Sequence, residues 1–161
     1  MAQQPEARLR SRFAHAWVVL ALLGLSVPRT AYSQIAVVVN ASNSIEELSL
    51  DNLRRLFLGQ AKTFPTGAHA RLAAHASSAA TFDRTALGLQ PEIVRSRWMA
   101  MIFRGEATSI PTELASPDDV KKFVRDHSDA IAFLPLSNVD GTVKILAVAG
   151  HRPNDPGYVI R

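Results

Sequence analysis

Apolar residues fall along this chain in blocks whose spacing changes from one to the next. The block over 16–27 runs for twelve residues without a charge. A second block, Ile35-Ala36-Val37-Val38-Val39, is mostly β-branched and stops at Asn40. A continuous apolar run of that length predicts a strand buried on both faces. The polar stretch 41–44 predicts a loop. From Ser49 the spacing becomes helical, with Leu50, Leu53, Leu56 and Phe57 at i, i+3, i+6 and i+7 and Gly59 as the stop. The stretch 60–68, with Pro65 and Gly67, predicts a turn region.

Residues 69–75 read as a second strand, although its alanines give it little β-branched weight. Ser77-Ser78 can cap a helix running to Leu87, with Gly88 as its stop. Pro91 can open a further helix at its first position, reaching about Phe103. Val94, Trp98, Met101 and Ile102 form its stripe, and Trp98 and Phe103 read as core. A loop is expected over 104–115. Ser116-Pro117-Asp118-Asp119 is a helix start: a cap, a proline at the first position, then acids at the positive end of the dipole. Val120, Phe123 and Val124 make the stripe that follows, and His127 closes the last turn. Strands are expected over 130–134 and, after the Asp140-Gly141 turn, over 143–148. The tail 151–161, rich in Pro, Gly and Asn, is expected to lie across the surface. The order β-α-β-α-α-α-β-β predicts an α/β domain with a mostly parallel sheet flanked by helices.

Charge changes the picture only when the N-terminus is considered separately. The 161 residues carry 18 Lys+Arg against 14 Asp+Glu, which by itself suggests a basic protein. Residues 1–33, however, have the form of an export signal. Arg8, Arg10 and Arg12 precede the apolar block, and Ala31-Tyr32-Ser33 is a small-x-small cleavage site. The block is shorter than the ~20 residues of a membrane span. Arg8, Arg10, Arg12, Arg29 and Glu6 fall within 1–33, so 34–161 keeps 14 basic residues against 13 acidic ones. A net charge of +1 gives no basic face for nucleic acid. With no cysteine, disulfides and thiolate chemistry are excluded. The expectation is a periplasmic protein whose 34–161 forms one domain resting on its core alone.

In open α/β sheets, ligands bind beyond the carboxyl ends of strands. Two junctions qualify by sequence. Asn40-Ala41-Ser42-Asn43 follows the first strand, and His75-Ala76-Ser77-Ser78-Ala79-Ala80-Thr81 follows the second and opens a helix. The second is the better anion site, because first-turn amides lack internal partners and the dipole favours negative charge. Ser77, Ser78 and Thr81 add hydroxyl donors, and His75 or Arg71 adds a cationic one. Helix capping alone accounts equally well for Ser77 and Ser78. His69, His75, His127 and His151 show no metal-ligand spacing, so no metal or cofactor is expected. Arg95, Arg97 and Arg104 read as a solvated helix face, and Asp118-Asp119 as helix-start electrostatics. No hydrolase or NTPase motif is present, so no catalytic residue is assigned.

Three segments together resemble phosphate-binding proteins of ABC importers. The stretch 35–67 is similar to the opening of their second lobe, matching at Leu48, Leu53, Phe57, Leu58, Gly59 and Gly67, with Phe64 near the usual Trp. The stretches 118–136 and 143–158 are similar to two later segments in the same order. The resemblance implies a periplasmic binding protein-like lobe that holds phosphate or another small oxyanion at a helix N-terminus. In the relatives an Arg ends the strand and Ser-Gly-Thr opens the helix. Here His75 takes the place of the Arg, and Ala79 or Ala80 that of the Gly. Histidine is mostly neutral near pH 7 and does not bind bidentately as arginine does. An alanine Cβ crowds the approach to the backbone amides. The resemblance therefore implies weak binding by Ser77, Ser78, Thr81 and His75, with Asn40 and Ser42 as rim. It also implies an ABC permease or a second lobe from another chain as partner. The alternative is a lobe that binds no ligand and serves as a periplasmic interaction module.

Overall fold

A computed structural model describes residues 34–161; the export segment read over 1–33 lies outside the described residues. The elements are β1 (Ile35–Val39), β2 (Glu47–Leu48), α1 (Leu50–Phe57), β3 (Arg71–His75), α2 (Ala76–Phe82), α3 (Pro91–Phe103), β4 (Thr112–Leu114), α4 (Pro117–Asp126), β5 (Ala130–Pro135), β6 (Lys144–Ile145) and β7 (Ala147–Val148). A π-helical turn, Asp83–Leu87, extends α2.

Five strands form the main sheet in the order β4-β3-β5-β1-β6. β3 is parallel to β4 and β5, and β1 is antiparallel to β5 and β6. Four of the five strands therefore point one way, and the sheet is mostly parallel, as its sequence predicts. All five residues of β1 are buried. Ile35, Val37 and Val39 face one core layer, shared with Leu53, Phe57, Phe82 and Trp98. Ala36 and Val38 face the other, shared with Val120 and Val124 of α4. Alternation along the strand feeds both layers, which is why β1 reads as an unbroken apolar run.

The helix signals act as the sequence indicates. Ser49 Oγ accepts from the Asn52 amide at 3.1 Å, and Ser116 Oγ accepts from the Asp119 amide at 3.1 Å. Gly59 leaves α1 at φ 69°, where a Cβ would lie 2.5 Å from Met101 Cε. His127 Nδ1 donates to the Phe123 carbonyl at 2.8 Å and closes α4.

Four expectations are corrected. The loop over 104–115 contains β4, which pairs with β3 from Ala73↔Thr112 to His75↔Leu114. The strand over 143–148 divides at Leu146: β6 extends the main sheet, while β7 pairs with β2. The tail is not a surface strap, because Tyr158 and Ile160 are buried. Tyr158 Oη donates to the Ile35 carbonyl at 2.7 Å, and the Ile35 amide donates to the Ile160 carbonyl at 3.2 Å. Burial pushes the Tyr158 phenol pKa up. Finally, Phe103 is 84% exposed. Val94, Trp98 and Met101 set the inward face of α3, and Phe103, five residues past Trp98, points about 140° away from it.

Candidate functional site

β3 ends at His75 and α2 begins at the next residue, with no loop between them. His75 occupies the N-cap position, and no side chain makes a capping bond there. This corrects the reading of Ser77 and Ser78 as caps: both lie inside the first turn. Their hydroxyls turn instead to the imidazole. His75 Nδ1 lies 2.9 Å from Ser78 Oγ and 3.2 Å from Ser77 Oγ. His75 and Ser78 are 5% and 6% exposed, the only buried polar residues among the described ones. This small network fixes the corner between strand and helix. The first-turn amides, which an α-helix leaves without internal partners, open beside it.

At 100° per residue α2 has two faces. Ser77, Ser78 and Thr81 share one of them. Ala76, Ala79, Ala80 and Asp83 share the other and line a cavity of about 250 Å³. Ser77, Ser78 and Thr81 therefore share a helix face, with Ser77 exposed and Ser78 buried against His75.

Asn40 and Ser42 are not brought to this site. β1 runs against β5, and β3 runs with it. The pairs Val39↔Ile131 and Arg71↔Ala130 place the exit of β1 beside the entrance of β3. At ~3.3 Å per residue, the length of β3 puts His75 about 13–16 Å away, at the opposite end of the sheet. Asn40 is also fully occupied. Its Nδ2 donates to the Val124 and Arg125 carbonyls, both at 2.9 Å. Its Oδ1 accepts from the Ser42 amide at 2.9 Å and from Ser42 Oγ at 2.7 Å. The rim role expected for Asn40 and Ser42 is thus replaced by a structural one, holding the end of α4.

Arg71 also lies at the far end. Its Nε donates to Asp129 Oδ1 at 3.3 Å, while His69 Nδ1 lies 3.0 Å from Asp129 Oδ2. Burial works to raise the Asp129 carboxyl, but the His69 hydrogen bond and the Arg71 charge outweigh it and hold it below the usual carboxylate range. Arg97 donates to the Leu58 carbonyl at 3.2 Å, and Arg104 pairs with Glu106 at 2.6 Å. No basic patch arises from Arg95, Arg97 and Arg104.

The cavity beside α2 was not read from the sequence. Phe57, Phe133 and Trp98 line it, and Asp83, Glu113 and Arg95 supply its charges. Burial, with help from the Glu113 charge, pushes the Asp83 carboxyl up to about 6, against the opposing pull of Arg84. The available signal was Ala76, Ala79, Ala80 and Asp83 at i, i+3, i+4 and i+7: a stripe of small residues ending on an acid.

No family model and no curated protein matches this sequence. Solved structures do match. One, described as a phosphate ABC transporter substrate-binding protein of Clostridium perfringens with bound phosphate, superposes over 73% of this chain and 45% of its own, with a TM-score of 0.58 at 18% identity. PstS of Borrelia burgdorferi superposes over 74% of this chain and 49% of its own, with a TM-score of 0.57 at 12% identity. The lobe fold is that of phosphate-binding proteins. A structure from Planctomyces limnophilus, named as a possible phosphate-binding protein, agrees at a TM-score of 0.53 and 11% identity, over 71% of this chain and 41% of its own. The chain spans less than half the length of each of these phosphate-binding-protein structures. At such identities the likeness extends to the lobe fold and not to individual side chains.

Proposed function

We propose that this chain is an exported, periplasmic solute-binding lobe that takes phosphate or a similar small oxyanion at the β3–α2 corner, within or beside an ABC uptake system. The observation that carries the reading is the corner itself. In a phosphate-binding-protein lobe fold, a helix opens at the carboxyl end of β3 with Ser77 and Thr81 on one face and its first-turn amides beside them. The amides and Thr81 Oγ1 are the donors, joined by the exposed Ser77 hydroxyl, which leaves its longer 3.2 Å contact to His75 for the anion. Ser78 and His75 hold the corner, because their polar atoms are already turned to each other. The reading is of a binding protein without metal, cofactor or catalytic step.

Binding is weak for two physical reasons. The strand ends on His75 and not on an arginine with a fixed, bidentate charge, and one lobe leaves the anion facing water, where each charged contact is screened. A second copy or another chain closes the site from the open side.

Calorimetric titration of the protein with phosphate, and separately with sulfate, tests this. Saturable heat that disappears in Ser77→Ala/Thr81→Ala is the expected result. Absence of heat at millimolar phosphate, from a folded sample, overturns it.

A second reading, a protein-interaction module, has one observation in its favour. Ile93, Met99 and Phe103 project from α3 as exposed apolar side chains. Phe103→Ser tests it: the substitution weakens association with a partner and leaves anion binding untouched.

A further inference from the structure

The cavity on the alanine face of α2 takes no part in the chemistry proposed for the corner. Asp83 lies seven residues beyond Ala76, about 10 Å along the helix. We propose that this cavity binds a small organic amine with an apolar or aromatic body, its ammonium held between the carboxylates of Asp83 and Glu113.

The lining selects the body. Four alanines, the rings of Phe57, Phe133 and Trp98, and five further aliphatic or proline side chains form most of the wall. At about 250 Å³ the space lies below the ≈ 300–1,000 Å³ of drug-sized pockets, so it suits a single ring or a short branched chain. The indole has no hydrogen bond to give, because Trp98 Nε1 already donates to the Phe57 carbonyl at 3.0 Å.

The charges select the head group. Asp83 is half-buried, and among the described residues no donor reaches its carboxylate. The carboxylate keeps contact with water on the cavity side and has no protein donor, so its oxygens are free to accept from a ligand. Glu113 stands on the neighbouring wall, because the pairing Ala74↔Glu113 places it on the sheet face that carries Ala74. The charged groups around Asp83 are Glu113 of β4, Glu92 and Arg95 of α3, and its own neighbour Arg84. Three acids stand against two bases. One ammonium balances that set, relieves the repulsion between Asp83 and Glu113, and supplies the missing donors. An anion meets the opposite field and is excluded.

Three probes that share a phenethyl body test the proposal: phenethylamine, 2-phenylethanol and 3-phenylpropanoate, titrated calorimetrically into the full chain at pH 7.5. Saturable binding of the amine is expected, at least tenfold tighter than the alcohol, with no binding of the carboxylate. Asp83→Asn, which preserves shape, is expected to weaken the amine at least tenfold, and lowering the pH from 7.5 to 5 to weaken it in the same direction. Ser77→Ala is expected to leave amine binding unchanged, so the outcome is independent of the corner's ligand. Binding of the alcohol within threefold of the amine overturns the proposal. So does an unchanged affinity in Asp83→Asn, or no saturation by 10 mM amine in a folded sample.

Discussion

Two strand ends in this lobe offer similar residues and use them differently. At the exit of β1, Asn40 and Ser42 direct every polar atom they have at neighbouring backbone or at each other. At the exit of β3, His75, Ser77 and Ser78 also bond among themselves, but the helix amides beside them stay open. The same contrast holds for the nearest acids. Asp129, at the first end, is paired with His69 and Arg71. Asp83, on the helix leaving the second end, has no partner among the described residues. A polar loop becomes a binding site through the donors it leaves unused, and residue type alone does not reveal that number.

The sharpest way to break this contrast is Asn40→Ala. It removes four hydrogen bonds and strands two carbonyls at the end of α4. These bonds are mostly exposed, so at ~0.5–1 kcal/mol per bond urea unfolding is expected to show a loss of about 2–4 kcal/mol, with phosphate binding unchanged in whatever remains folded. A change in binding without a change in stability reverses the roles assigned to the two ends.

Ser78→Ala comes next. It leaves the buried His75 nitrogen without its closer hydroxyl, at an expected cost of about 1–2 kcal/mol, together with weaker anion binding because the corner loosens. Equal stability to the parent protein would mean that the corner is held by something other than this pair.

The two acids give opposite pH signatures. The folded Asp83 carboxyl titrates near 6 and the unfolded one near 4. The folded state therefore binds the extra proton between those values. Stability from this group is present in full below pH 4 and is lost as pH rises through 6. Asp83→Asn is expected to be more stable than the parent at pH 7.5, by about 1 kcal/mol once half-exposure is discounted, and equal to it at pH 3.5. Asp129 is depressed, so its contribution is present above pH 4 and is lost as pH falls through its folded value. Asp129→Asn is expected to be less stable than the parent at pH 7.5, with the gap closing in acid. Thermal melts across pH 3.5–7.5 measure both, and parallel profiles would remove the contrast.

The smallest expected effect on stability, within about 0.5 kcal/mol, is that of Ser77→Ala, whose side chain is exposed. It is nonetheless expected to lower phosphate affinity severalfold in calorimetry. A variant silent in both measurements removes Ser77 from the site.

Much of this was legible in the sequence because it rests on local rules. β1 announces itself by composition, α1 and α4 by a serine cap and a stripe, and α3 by its proline. What was not legible depends on partners distant in the chain. β4 is three residues long and exists only because β3 lies beside it. Tyr158-Val159-Ile160 is a three-residue apolar run at the end of a polar tail, too short to announce an element, and the space beside Ile35 makes Tyr158 and Ile160 core. Pairing Asn40 with His75 failed for a directional reason: the carboxyl-end rule holds for strands that point the same way, and β1 is the one reversed strand in the sheet. The cavity was missed because alanines were weighed only for strand propensity and not as the absence of bulk.

The reversed β1 has a consequence for the chain as it is made. Its partners β5 and β6 begin at Ala130 and Lys144, and the residues that close over its start come later still. A chain delivered from its N-terminus therefore carries Ile35–Val39, a fully apolar strand, unpaired for some 90 residues. Runs of this kind are where nascent chains associate with one another. The first strand to emerge is the last to be enclosed, so this lobe is expected to depend on a holding chaperone during its synthesis more than its modest size suggests.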